Sequence, residues 1–241
     1  IINMSERRSN FVSSVTHELK TPLTNIRMYI EMLEFGIAKD EERKKDYFRI
    51  LNSESGRLSR LINNVLEFSK LEKKQRSFHL KNGNLNDVIQ KLEDVLSEKI
   101  RQEGFKLTVQ NRTEATFMYD REAMLQILIN LVENSIKFGK TCKNKTISLT
   151  RTDSGHDIRI DVSDEGQGIP ARSLNKIFDD FYRADNSLTR TTGGTGIGLS
   201  LVKKFTEEMG GRVTAKNNRG AGCTISLYFP AYDTTKNGTE G

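Results

Sequence analysis

Residues 11–24 read FVSSVTHELKTPLT, a run in which apolar side chains recur at helical spacing while a histidine, a glutamate and a threonine fall between them. Phe11, Val15, Leu19, Leu23, Ile26, Ile30 and Leu33 follow one another at intervals of three or four residues. With about 3.6 residues per turn, that spacing lines one face of an α-helix and predicts a single buried stripe. His17 lies off the stripe, Thr21 stands one turn further along the same outward face, and Glu18 adjoins the imidazole. The reading therefore presents a nucleophile, a base and a polar partner to solvent.

Outward from this segment, residues 3 to about 75 carry no strand pattern and no proline other than Pro22. They divide into two helical stretches around Phe35-Gly36 to Asp40. Phe48, Leu51, Leu58, Leu61, Ile62, Val65, Phe68 and Leu71 continue an apolar stripe in the second stretch. Two long helices and a short turn make an antiparallel hairpin, which cannot bury both stripes alone. Pairing of two copies into a four-helix bundle, hence a homodimer, is the expected solution.

The charged segment KKQRSFHLKNG, residues 73–83, marks a boundary, and the pattern beyond it is mixed. A helix is predicted from about Leu85 to Gln102, with Asn84 as N-cap and Gly104 as its stop. Strands follow at FKLTVQN (105–111) and ATFMYD (115–120), and Asp120 caps the apolar helix REAMLQILINLVENSIKF (121–138). KTISLTRT (145–152) and DIRIDVSD (157–164) alternate as strands around a turn at Asp153, Ser154 and Gly155. A helix at about 197–209 and a hairpin of GGRVTAKNN and GCTISLYFP close the pattern. This order predicts a two-layer α/β sandwich at 76–230 behind a helical hairpin at 1–75, with residues 231–241 as a disordered tail.

Composition narrows the possibilities. The formal net charge is +6 over 241 residues, but Lys and Arg alternate with Asp and Glu in stretches such as EERKKDYFR (41–49), the mark of a solvated helix face. No nucleic-acid partner is expected. Cys142 and Cys223 are the two cysteines, without CxxC or metal spacing, which predicts neither disulfide framework nor zinc site and a reducing, cytoplasmic setting. His79 and His156 have no partners in sequence that would make them more than surface residues. No apolar run reaches the length of a membrane span, and the opening IINMSERRSN begins like the middle of a longer helix. The expectation is a soluble piece of a longer chain, attached to membrane only through segments that lie before it.

Three clusters in the second half suit a nucleotide. In NLVENSIKFGK (130–140), Asn130 and Asn134 lie one turn apart on one face, where amide oxygens can coordinate Mg²⁺, and Lys137 can neutralise phosphate. DEGQGIP (164–170) puts the Asp164 carboxylate at a strand end, able to accept from an adenine amino group, while Gly166 and Gly168 permit a tight turn ahead of Ile169. In GGTGIGLSLVKKF (193–205) glycines lead directly into a helix whose N–H groups can cradle phosphate. The tripeptide Gly139-Lys140-Thr141 mimics the end of a Walker A motif, but Asn134 occupies its first glycine position and a helix, not a strand, precedes it.

The string HELKTPLT, with Phe11 upstream, resembles the phosphoacceptor box of the sensor histidine kinases of two-component signalling. The three downstream clusters resemble the N, G1 and G2 boxes of the catalytic domain of that family, which shares a superfamily with Hsp90, gyrase and MutL, and IFDDFYRAD (177–185) resembles its F box. The resemblance runs from about Asn10 to Pro230. It implies that His17 receives the γ-phosphoryl group of ATP, that Glu18 takes the imidazole proton, and that Thr21 positions water for dephosphorylation of a response regulator receiver domain. It further implies that Asp164 binds adenine, that Asn134 holds Mg²⁺ with Asn130 in support, and that Lys137 and Arg183 face phosphate. On the same resemblance, Phe138, Gly166, Gly168, Ile169, Gly194, Thr195, Gly196, Ile197, Gly198 and Leu199 are expected to line the nucleotide, and residues 186–194 to form a lid.

Three positions depart from the common family pattern. Phe138 stands where tyrosine is frequent, Glu165 where asparagine is frequent after the aspartate, and Thr16 where serine is common before the histidine. Two rival readings use the same residues. An ATP hydrolase of the superfamily would carry a glutamate four residues before the Mg²⁺ asparagine, where this chain has Asn130. A silent dimeric scaffold would have a degraded acceptor or glycine box, and neither is degraded here.

Overall fold

The computed structural model describes residues 4–183 and 195–232. The expected lid at 186–194, Gly194 within the third cluster, and the tail from residue 233 lie outside the described residues. The chain divides into two compact units, the first made of described residues 4–76 and 195–197 and the second of 77–183 and 198–232.

The first unit is a helical hairpin of α1 (Met4–Glu34) and α2 (Glu41–Glu72). The chain reverses at Gly36, whose φ of +64° is one that glycine adopts without penalty. Asp40 then caps α2 by accepting from the Arg43 amide at 2.7 Å. Phe11 meets Phe68 with ring centroids 6.2 Å apart, and Tyr29 meets Tyr47 edge-on at 5.1 Å. Leu23 and Ile30 of α1, like Phe48 and Ile62 of α2, remain more than 40% exposed, as expected of a hairpin in which one helix covers only part of its neighbour's apolar face. Glu18, expected to face solvent, is instead 8% exposed and turned against α2.

The second unit is a two-layer α/β sandwich. Its elements are β1 (Lys81–Gly83), α3 (Asn86–Gln102), β2 (Lys106–Asn111), β3 (Phe117–Tyr119), α4 (Arg121–Gly139), β4 (Thr146–Ser154), β5 (Asp157–Asp164), α5 (Gly198–Glu208), β6 (Arg212–Asn217) and β7 (Cys223–Pro230), with a short 3-10 turn at Ala171–Ser173. The main sheet runs β2-β4-β5-β7-β6, with β2 parallel to β4 and the remaining neighbours antiparallel. β1 and β3 form a separate antiparallel pair. Alternation along the strands turns Ile147, Leu149, Ile158, Ile160, Val162, Leu227 and Phe229 inward, where they are buried with the inner faces of the helices. Val88, Leu92, Leu96 and Ile100, spaced by four, do the same for α3.

Local chemistry fixes the ends of these elements. Asp120 caps α4 as expected, accepting from the Ala123 amide at 2.9 Å, and its second oxygen accepts from the His79 amide at 2.8 Å. The expected cap at Asn84 is displaced. Leu85 is the N-cap of α3, left-handed at φ +67° with its side chain wholly buried, and Asn84 instead accepts from the Asn86 amide at 3.2 Å. Burial of Leu85 outweighs the backbone preference. Ala231 and Tyr232, read as the start of the tail, still donate backbone hydrogen bonds to His156 and Thr116.

Candidate functional site

On the hairpin, His17 and Thr21 are exposed, and the Thr21 hydroxyl donates to the His17 carbonyl at 3.3 Å. Pro22 is buried inside α1 and has no N–H to offer the Glu18 carbonyl, which opens the helical ladder just after the histidine. The Glu18 carboxylate accepts from Arg57 of α2 at 3.1 Å. Arg57 also lies 3.8 Å from Glu54, which accepts from Asn25 of α1 at 3.3 Å. A polar strut thus crosses the hairpin beside the exposed imidazole.

In the second unit, α4 gathers the nucleotide candidates. Asn130 is 5% exposed and donates through Nδ2 to the Gly198 carbonyl at 3.5 Å, which ties α4 to the first residue of α5. That bond commits the amide nitrogen and orients the side chain so that Oδ1 is its acceptor end. Asn134 and Lys137 follow along α4, both half-buried, with the Lys137 ammonium 4.9 Å from the Phe138 ring centroid. Ser135, one residue past Asn134, turns to the sheet and donates to Asp164 Oδ2 at 3.1 Å.

Asp164, the last residue of β5, is 9% exposed and its carboxylate is held on several sides. Oδ1 accepts from the Gly166 amide at 2.9 Å and the Cys223 amide at 3.4 Å. Oδ2 also lies 3.4 Å from Cys223 Sγ. Burial and the adjacent carboxylate both penalise a thiolate, so the Cys223 thiol is pushed well above its ordinary range. The turn after Asp164 packs against the β6–β7 hairpin. Gly222 has φ +81°, and a Cβ there would stand 1.9 Å from the Asp164 carbonyl oxygen, so only glycine fits.

The remaining candidates are placed more simply. Thr195 is buried, its hydroxyl accepting from the Ile197 amide at 3.4 Å, and Gly196 has φ +73°. Gly198 and Leu199 open α5, while Arg183 is exposed at the end of the described segment. Sequence reasoning missed Ser135, Asn217, Asn218, Gly222 and Cys223. The available signals were a serine inside an otherwise apolar helix and the run of turn-forming residues NNRGAG at 217–222.

Comparison with known proteins accords with this geometry. Residues 7–74 match the family model of the His Kinase A (phospho-acceptor) domain, and residues 119–233 match that of the histidine kinase-, DNA gyrase B- and HSP90-like ATPases. The chain is similar to the sensor protein kinase WalK of Staphylococcus aureus, at 32% identity over 227 residues covering 94% of this chain and 54% of that relative. The WalK of strain JH9 matches at the same identity, with 37% of its length covered. The chain thus spans about half or less of these curated relatives.

Among solved structures, the catalytic domain of histidine kinase ThkA is 30% identical at a TM-score of 0.54, covering 64% of this chain and 98% of that one. ThkA in complex with the response regulator protein TrrA matches at 27% identity and a TM-score of 0.62, covering 95% of this chain and 65% of that one. The histidine kinase AdeS of Acinetobacter baumannii, 20% identical, shares the fold at a TM-score of 0.64 over 90% of this chain and 98% of its own. The chain belongs to the sensor histidine kinases, with a phosphoacceptor hairpin followed by the ATP-binding domain of that family.

Proposed function

We propose that this chain transfers the γ-phosphoryl group of ATP to His17 and then to an aspartate on a response regulator receiver domain. The observation that carries the reading is the convergence on α4, where Ser135 reaches Asp164 and Asn130 reaches Gly198, so that two glycine-bearing clusters distant in sequence adjoin the helix that carries the asparagine cluster. On the hairpin, the exposed imidazole of His17 offers a ring-nitrogen lone pair to phosphorus. His17 attacks the γ-phosphorus with one nitrogen and releases the proton of the other to Glu18, while ADP leaves.

At the nucleotide, Asp164 accepts from the adenine amino group, and Lys137 and Arg183 face phosphate. The third cluster, from Gly194 to Leu199, supplies backbone donors, and Phe138, Gly166, Gly168 and Ile169 wall the base. The amide oxygens of Asn134 and Asn130 are hard neutral donors that would suit Mg²⁺. When bound, Mg²⁺ offsets negative charge on the phosphates. Thr21, exposed one turn from His17, is the residue for orienting water in dephosphorylation of the regulator.

Exposed Leu23, Ile30, Phe48 and Ile62 favour a second copy as the cover for the hairpin, giving a homodimeric four-helix bundle. A monomer mass by light scattering at micromolar concentration would refute that assembly. We read residues 1–75 as the phosphoacceptor hairpin domain and residues 76–230 as the catalytic domain. Among the described residues no helix is long and apolar enough to cross a membrane. An ATP-consuming reaction and two free cysteines suit a cytoplasmic setting.

The hydrolase reading is disfavoured by a specific contact. Glu133, the glutamate nearest the Mg²⁺ asparagines, accepts from Lys99 of α3 at 2.5 Å and is committed to that ion pair. The test is incubation with γ-labelled ATP and Mg²⁺. Acid-labile, alkali-stable label is expected on the native protein and none on His17→Asn, which still binds ADP. Label persisting on the variant refutes the assignment.

A further inference from the structure

The loop that receives the base, residues 164–169, is gripped at both ends by consecutive asparagines of the β6–β7 hairpin. Asn217 Oδ1 accepts from the Ile169 amide at 2.7 Å, and its Nδ2 donates to the Ile169 carbonyl at 2.7 Å. One side-chain amide thereby satisfies both backbone groups of one residue, as a strand neighbour would. Asn218 Nδ2 donates to the Asp164 carbonyl at 2.9 Å and to Ser163 Oγ at 3.2 Å. Its own oxygen accepts from Thr224 at 2.6 Å, which fixes the amide's orientation.

Between these grips, Gly168 turns with φ +75°, and a Cβ on it would come within 3.0 Å of Asn217 Oδ1. The contact is close because the asparagine sits directly on the corner that the chain must turn. The two asparagines are 48 and 54 residues away in sequence from the groups they hold. Neither Ile169 nor Asp164 obtains these partners from its own strand or loop.

We propose that Asn217 and Asn218 are positioning residues of the nucleotide site, setting the distance and tilt between the Asp164 carboxylate and the Gly168–Ile169 corner that walls the base. The inference rests on the reading that this loop receives adenine. Neither asparagine touches the reacting atoms, so their loss weakens nucleotide binding without slowing the chemistry of bound nucleotide. Asn217 is itself exposed, so its removal leaves no cavity in the core.

The test measures half-saturating ATP, the maximal rate of autophosphorylation, and ADP affinity for the intact chain and for Asn217→Ala, Asn217→Asp and Asp164→Asn. Loss of two hydrogen bonds predicts an increase of about tenfold in half-saturating ATP and in the ADP dissociation constant for Asn217→Ala, with the maximal rate within about twofold. Asn217→Asp keeps the acceptor for the Ile169 amide and recovers part of the affinity. Unchanged affinity in Asn217→Ala overturns the proposal. A fall in maximal rate at unchanged half-saturation also overturns it, because that pattern reports fewer folded molecules. Asp164→Asn separates the underlying reading: if it binds ADP normally, the adenine assignment fails, whereas the Asn217 result still reports on the clamp.

Discussion

The Arg57 guanidinium donates to the Glu18 carboxylate at 3.1 Å, and so α2 holds the side chain that follows His17 on α1. Glu18 is nearly buried while Arg57 is 45% exposed along its side chain. Solvent screening keeps the pair modest, but a nearly buried carboxylate that loses one of its donors is destabilising. Arg57→Met is expected to destabilise the hairpin by about 1 kcal/mol, seen as a lower urea midpoint in helical circular dichroism. Glu18→Gln is expected to slow phosphate incorporation by about 10²-fold or more with ADP affinity unchanged.

Thr21 stands apart from that strut, with its hydroxyl exposed and bonded only weakly back to the helix at 3.3 Å. Thr21→Ala is expected to slow dephosphorylation of a phosphorylated regulator by about tenfold or more while leaving His17 labelling intact. Measuring both rates on one preparation separates the two roles.

Gly222 admits no side chain. Its left-handed φ of +81° and the 1.9 Å approach of a Cβ to the Asp164 carbonyl act together in Gly222→Ala. The expected loss is more than about 2 kcal/mol of stability, together with ADP binding, because the hairpin can no longer seat against Asp164. Thermal melting with and without ADP measures both.

Cys223 should resist thiol reagents in the native chain, since the thiolate is the reactive species and its thiol pKa is raised by burial and Asp164. At pH 8, iodoacetamide is expected to label Cys142 while Cys223 reacts only after denaturation, as read by peptide mass mapping. The raised pKa also fixes a pH dependence. The unfolded chain loses the thiol proton above the ordinary cysteine value near about 8.5, whereas the native chain retains it. Stability is therefore fully present below that value and declines as pH rises above it, by up to about 1.4 kcal/mol per unit from this group. Cys223→Ser removes that slope.

The sequence made long periodic elements legible. DIRIDVSD alternates in and out, and β5 spans those residues, Asp157–Asp164. The helix expected at 121–138 is α4 at Arg121–Gly139, capped by Asp120 as its carboxylate suggested. Short or context-dependent features were not legible. β1 has three residues and gains its bonds wholly from β3, so no periodicity announces it within a charged segment. Glu18 was expected outside because helical spacing cannot reveal a basic partner 39 residues away. Ser135 and Cys223 were overlooked because neither residue type signals chemistry until folding brings both to Asp164.

Asp164 is enclosed from both directions along the chain, by Ser135, 29 residues before it, and by Cys223, 59 residues after it. The hairpin that carries His17 needs neither. During synthesis the hairpin that carries His17 is therefore complete long before β7, and the surroundings of Asp164 close only once Cys223 has been made.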